Sequence, residues 1–281
     1  MSRRATRVAL VLVVVAVVGV GAVLGVRKLW QLARDHFVSD QCTIGAYDLD
    51  PAQAAVASTM VGAVSRYTKE RLPERAAVLV LAAGLQESKL TNLSPGAGDR
   101  DSVGVLQQRP SQGWGGSGST ASRQARLNDV GEATTEFLDQ LIKIDGWQSL
   151  TLADAVQHVQ ISADGSAYAQ HEAEAKVLAD ALQGRRPAAI SCSFAKPTKV
   201  ASVAAVATQV HAQLPVQTPS TAGRTVRVPG AAWQTAAWFV ANADRLGIDA
   251  VAYDGKRWTR SNGWKPATGS TAAVVATMYQ L

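Results

Sequence analysis

The chain has 281 residues, 47% hydrophobic and only 6% aromatic, with 28 Lys+Arg against 22 Asp+Glu. That is room for one or two domains. The net charge of +6 sits at the head: Arg3, Arg4, Arg7, Arg27, Lys28 and Arg34 all precede the first acid, Asp35, and the rest is formally neutral. A basic, apolar head on a neutral body excludes nucleic acid as the leading partner and points to a membrane-targeted protein.

Val8 to Val26 is an unbroken run drawn only from Val, Leu, Ala and Gly. As a helix it would be about 28 Å long, close to a bilayer core of about 30 Å. Residues 1–7 then read as a cytoplasmic basic tail, 8–26 as a transmembrane anchor, and everything after Trp30 as lying outside the cell membrane. The alternative is a cleaved signal peptide followed by secretion, against which stand the length of the run and the lack of a good Ala-x-Ala site. Cys42 and Cys192, the only cysteines, flank the first globular region without Cys-x-x-Cys spacing. In an exported protein they read as one disulfide; in a cytosolic one they would read as two buried thiols.

In chain order, Asp50-Pro51 starts a helix with Val56, Met60 and Val64 on one stripe. Pro73 opens a second, whose Val78, Leu79, Leu81, Ala82 and Leu85 are apolar nearly all round, so it is the buried one; it ends near Gln86-Glu87-Ser88. Residues 91–120 read as a structured loop or short hairpin long enough to suggest function. Helices resume over about Asp129–Ile144, after Thr151 with its Thr-x-x-Asp start, and after Ser166 up to Gly184. Residues 193–222 read as a linker, with 199–214 transiently helical at most. Trp233, Trp238, Phe239 and Val240 mark a further helix, and Val251–Tyr253 and Val274–Met278 short strands, so that 223–281 forms a small α+β module.

Chemistry concentrates around Glu87. A carboxyl at the end of an apolar helix loses solvation, which raises its pKa and keeps it protonated as a general acid must be. Ser88 and the polar loop, including Gln107 and Gln108, could hold the reacting groups. Trp114, between Gly113 and Gly115, is a candidate platform for stacking a sugar ring, against the plainer reading of a core plug. Asp99 or Asp101 could serve as the second carboxylate of an inverting hydrolysis. His36, His158, His171 and His211 are scattered, so no metal or other cofactor is assigned, and His171 with Glu172 and Glu174 reads as a solvated helix face.

Glu87-Ser88, followed further along by Gly-Val-Leu-Gln-x-x-Pro from Gly104 to Pro110, resembles the signature of the soluble lytic transglycosylase and goose-type lysozyme superfamily in both residues and spacing. Gln86-Glu87-Ser88, Gly98-Asp99-Arg100-Asp101, the Gln107–Trp114 segment and Tyr168-Ala-Gln-His-Glu172 are similar to an actinobacterial family of anchored or secreted lysozyme-like proteins. The resemblance covers about residues 42–183. It implies a mainly α lysozyme-like domain over 42–192, peptidoglycan glycan strands as substrate, and Glu87 as the catalytic acid and base. Val159-Gln160-Ile161-Ser162 stands roughly where that superfamily has Tyr-Asn-Ala-Gly, which makes Gln160 a candidate sugar contact. It also keeps open a non-catalytic glycan-binding or envelope scaffold protein. Gly223-Arg-Thr-Val and the Trp233–Trp264 pattern distantly resemble a wall-associated peptidase-like domain. No histidine follows His211, so residues 223–281 are expected to bind the wall or an envelope protein partner rather than to catalyse.

Overall fold

The computed structural model describes residues 40–162, 165–230, 232–269 and 272–281. The basic tail and the expected anchor at Val8–Val26 lie outside them. Among the described residues no helix is long and apolar enough to cross a membrane.

The helical half is arranged around two helices. Helix α1 (Pro51–Arg66) starts where Gln53 reaches back to accept from the Asp50 N–H at 2.7 Å, and its buried face carries Ala54, Ala57, Met60, Val61 and Val64. Helix α2 (Arg75–Ser88) is buried without a break from Ala76 to Leu85. An all-round apolar helix has no solvent face, so it forms the centre. It stops at Lys89 and Leu90, both left-handed. Helices α3 (Thr120–Leu127), α4 (Val130–Leu141), α5 (Leu152–Gln160) and α6 (Glu172–Leu182) surround it. Side-chain caps start the first three of these in chain order: Ser119, Asp129 and Thr151 each accept from the N–H three residues on.

Two antiparallel sheets complete the body. Strands β1 (Gln41–Ile44), β2 (Tyr47–Leu49) and β3 (Ile190–Ser193) form the first, in the order β2-β1-β3. Its register sets Cys42 directly opposite Cys192, and the two are joined by a disulfide. Such a bond persists in oxidising, extracytoplasmic compartments. The second sheet has six strands in the order β4-β5-β9-β6-β7-β8: β4 (Ser220–Ala222), β5 (Thr225–Pro229), β6 (Ile248–Tyr253), β7 (Lys256–Thr259), β8 (Gly263–Pro266) and β9 (Ala273–Met278). Helices α7 (Val203–Gln213), α8 (Trp233–Ala241) and the short α9 (Ala243–Leu246) accompany it.

This corrects the expected class. The protein is not a mainly α domain trailing a small module: among the described residues the helices share one body with two antiparallel sheets, the larger of them six-stranded. Asp40–Leu281 is a single compact unit. The stretch 193–222, expected to be a linker, holds α7, whose Val206 and Val210 are fully buried in the common core together with Leu214. Side chains far apart in sequence lock α1 to α8: Asn242 Nδ2 donates to Ser58 Oγ at 3.0 Å and Gln234 Nε2 to Ser65 Oγ at 2.6 Å, while Trp238 Nε1 donates to Gln213 Oε1 at 2.8 Å.

Candidate active site at the end of α2

Glu87 lies on the last turn of α2, where the buried helix emerges. The 91–118 loop is drawn against that turn by backbone carbonyls. Ser88 Oγ donates to the Val105 carbonyl at 2.7 Å, and Gln160 Nε2, on the last turn of α5, donates to the Leu106 carbonyl at 2.8 Å. Gly104 makes the close approach possible. Its φ is +77°, and a Cβ there would stand 2.2 Å from the Leu127 carbonyl oxygen. The loop is a folded hairpin-like element, bridged at Leu93–Gly104 and Val103–Gln108.

Tyr168, fully buried in the 3-10 turn Gly165–His171, donates its hydroxyl to Glu87 Oε1 at 2.5 Å. Gln160 also lies near enough to the Glu87 carboxyl to favour its ionised form. Burial pushes the Glu87 pKa above the ordinary glutamate value, and the Tyr168 bond and Gln160 oppose that rise without cancelling it. The Tyr168 phenol is pushed up in turn, first by burial and then by Glu87. It therefore stays a donor across the physiological range. One residue earlier, Gln86 Oε1 meets Gln170 Nε2 at 3.1 Å and His171 Nε2 at 3.0 Å. His171 is thus half-buried against α2 rather than on the solvated face expected for it, and its pKa is lowered by that burial.

Of the residues singled out in the sequence, Glu87, Ser88 and Gln160 come together around the 105–106 segment. The two aspartates have other partners. Asp101 accepts from the Ser111 N–H at 2.7 Å and from Arg109 Nε at 2.8 Å, which hold its carboxyl down to about 2. Asp99 is exposed, with Arg100 at 3.7 Å. Gln107 Nε2 donates to the Gly104 carbonyl and Gln108 Nε2 to the Ala133 carbonyl, so both brace the loop; Gln108 Oε1 is buried without a partner. Trp114 is half-buried, packed on the core, and its carbonyl accepts from Arg123 Nε at 3.0 Å. The sequence does not pair Tyr168 with Glu87, because the two are far apart in the chain; the signal for it is its place in the Tyr168–Glu172 motif.

Among the described residues no group of three or more His, Cys, Asp or Glu could hold a metal ion. A cleft of about 1110 Å³ lies elsewhere, between α1, the start of α4 and the end of α7, and Glu87 does not line it. Perturbed titration and convergent polar groups mark the Glu87 locality as the chemical candidate. No protein-family model and no curated protein matches the chain.

Proposed function

We propose that the protein is an extracytoplasmic enzyme that cleaves the β-1,4 glycan linkage of peptidoglycan, with Glu87 as acid and then base. The observation that carries this reading is the half-buried Glu87 carboxyl, raised in pKa and held by Tyr168, with Gln160 nearby, at the mouth of a folded polar loop. Protonated Glu87 gives its proton to the glycosidic oxygen as the bond from C1 breaks. The resulting carboxylate then takes a proton from the attacking hydroxyl.

The nature of the attacking group follows from the second carboxylate. Asp101 is committed to Arg109 and Ser111, and Asp99 to solvent and Arg100, so neither is held toward Glu87. Inverting hydrolysis needs a base on the far side of the sugar, and the retaining route needs a nucleophilic carboxylate. A site with one engaged carboxyl suits attack by the sugar's own C6 hydroxyl, which closes a 1,6-anhydro ring. Analysis of muropeptides released from purified walls tests this directly. Anhydro ends support the proposal, reducing ends replace it with hydrolysis, and release no greater than that of Glu87→Gln leaves a glycan-binding protein that does not cut. The Cys42–Cys192 disulfide supports the extracytoplasmic placement. Cell fractionation separates retention through Val8–Val26 from secretion.

A further inference from the structure

One face of the six-stranded sheet turns into the common core; on the other, among the described residues, Ala250 and Ala273 are buried while Arg227, Arg257 and Lys265 are exposed. Val226, Val228, Val251, Trp258, Val274 and Ala276 turn into the common core. Alternation along each strand sends their neighbours to the opposite face. The registers align that face into rows across the strands: Ser220, Arg227, Val275, Ala252, Arg257 and Lys265 make one, and Ala222, Thr225, Thr277, Ala250, Thr259 and Gly263 the next. The first row carries three exposed cations, Arg227, Arg257 and Lys265, and neither row carries a carboxylate. Among the described residues none of the three cations is in an ion pair.

Arg257 and Lys265 stand directly opposite each other on β7 and β8. Like charges in that position destabilise a sheet, and exposed side chains recover little through packing. The arrangement is therefore a cost to the fold that an anionic partner would remove. From Arg227 the row crosses three strand spacings to Arg257 and a fourth to Lys265, about 19 Å in all. Charges spread along a line do not converge on a single small anion. The floor between them is Val275 and Ala252, half-buried, with threonine hydroxyls alongside.

We propose that this face docks a linear polyanion of the phosphodiester type, lying across the strands along the Arg227–Lys265 row. Guanidinium forks suit phosphate oxygens, and two of the three cations are arginines. A lipid surface is the poorer fit, because peripheral membrane faces add large apolar or aromatic side chains that insert, and these rows hold only small ones. The inference does not rest on glycan cleavage.

The test uses the full chain and poly(glycerol phosphate) as probe, with binding measured against salt. The triple variant Arg227→Ser, Arg257→Ser, Lys265→Ser should lose about tenfold or more in affinity, and its plot of log K against log salt should flatten by up to about three. A charge-matched control, Arg186→Ser, Lys196→Ser, Lys199→Ser, should bind within about twofold of the parent, since those exposed cations lie off the face. Melting temperatures should not fall in the row variant, because it relieves a repulsion. Equal loss in both triple variants would reduce the effect to net charge and overturn the proposal. So would a parent that fails to bind the polymer, or one that instead binds phosphatidylglycerol vesicles through the row.

Discussion

At Glu87 and Tyr168 the opposing effects can be ordered. Burial raises the Glu87 pKa and the Tyr168 hydroxyl lowers it, with burial the larger. A group whose folded pKa lies above its unfolded value favours the folded state below the unfolded pKa, and that contribution is lost as pH rises through the folded value. Ionising the Glu87 carboxyl is therefore a burden on the fold. Glu87→Gln keeps the shape and removes the charge, so it should abolish cleavage while melting no lower than the parent at pH 7. A melting point that drops by several degrees would mean that the carboxylate is structural. Tyr168→Phe removes a bond that favours the carboxylate, so the Glu87 pKa should rise further. Cleavage by a protonated acid should then persist to higher pH, moving the alkaline limb of the pH–rate profile upward. A limb that stays in place, in protein still folded, would separate Tyr168 from the acid.

At the scale of elements, the 91–118 loop decides whether Glu87 has a site around it. Gly104 is its tightest point, with a positive φ and the Leu127 carbonyl in the place a Cβ would occupy. Gly104→Ala should cost about 2 kcal/mol or more and release the loop, lowering the melting temperature and cleavage together. A variant with parental stability would show that the loop has room to move. This glycine was visible in the sequence as the start of Gly104-Val105-Leu106-Gln107, and the helix starts at Asp50-Pro51, Asp129 and Thr151 were equally visible because caps and prolines act locally. The sheets were harder to see. Strands β1, β2 and β3 are too short for alternation to register, and β1 pairs with β3 across nearly the whole helical half. Helix α7 reads as linker in the sequence because its Ala- and Val-rich text lacks a polar face for contrast. What holds it is burial of Val206 and Val210 against residues distant in the chain. Only tertiary contact reveals such a helix.

Taken whole, the body from Asp40 to Leu281 has one core and not two. In the sequence, 223–281 reads as an appended module of a size that is marginal alone. Its helix α8 has an uninterrupted buried run from Thr235 to Ala241, lying partly on α1. Gly62 of α1 sits where a Cβ would meet the Gln213 carbonyl oxygen at 2.5 Å, so α1 and the end of α7 are in close contact. Trp264 Nε1 donates to the Ile190 carbonyl at 2.9 Å and Trp258 Nε1 to the Cys192 carbonyl at 3.1 Å, tying the large sheet to the strand that carries the disulfide. Cutting the chain before β4 would remove α8, Trp258 and Trp264 and expose the part of α1 that α8 covers. At about 25 cal/mol per Å² of apolar area, exposing a few hundred Å² is comparable with the roughly 5–15 kcal/mol that stabilises an ordinary domain. A protein ending at Pro219 should therefore lose its cooperative melt, and calorimetry of the intact body should give one transition. Two resolved transitions, or a truncated protein that melts like the parent, would return residues 223–281 to the status of a separate module and free the Glu87 half to work without them.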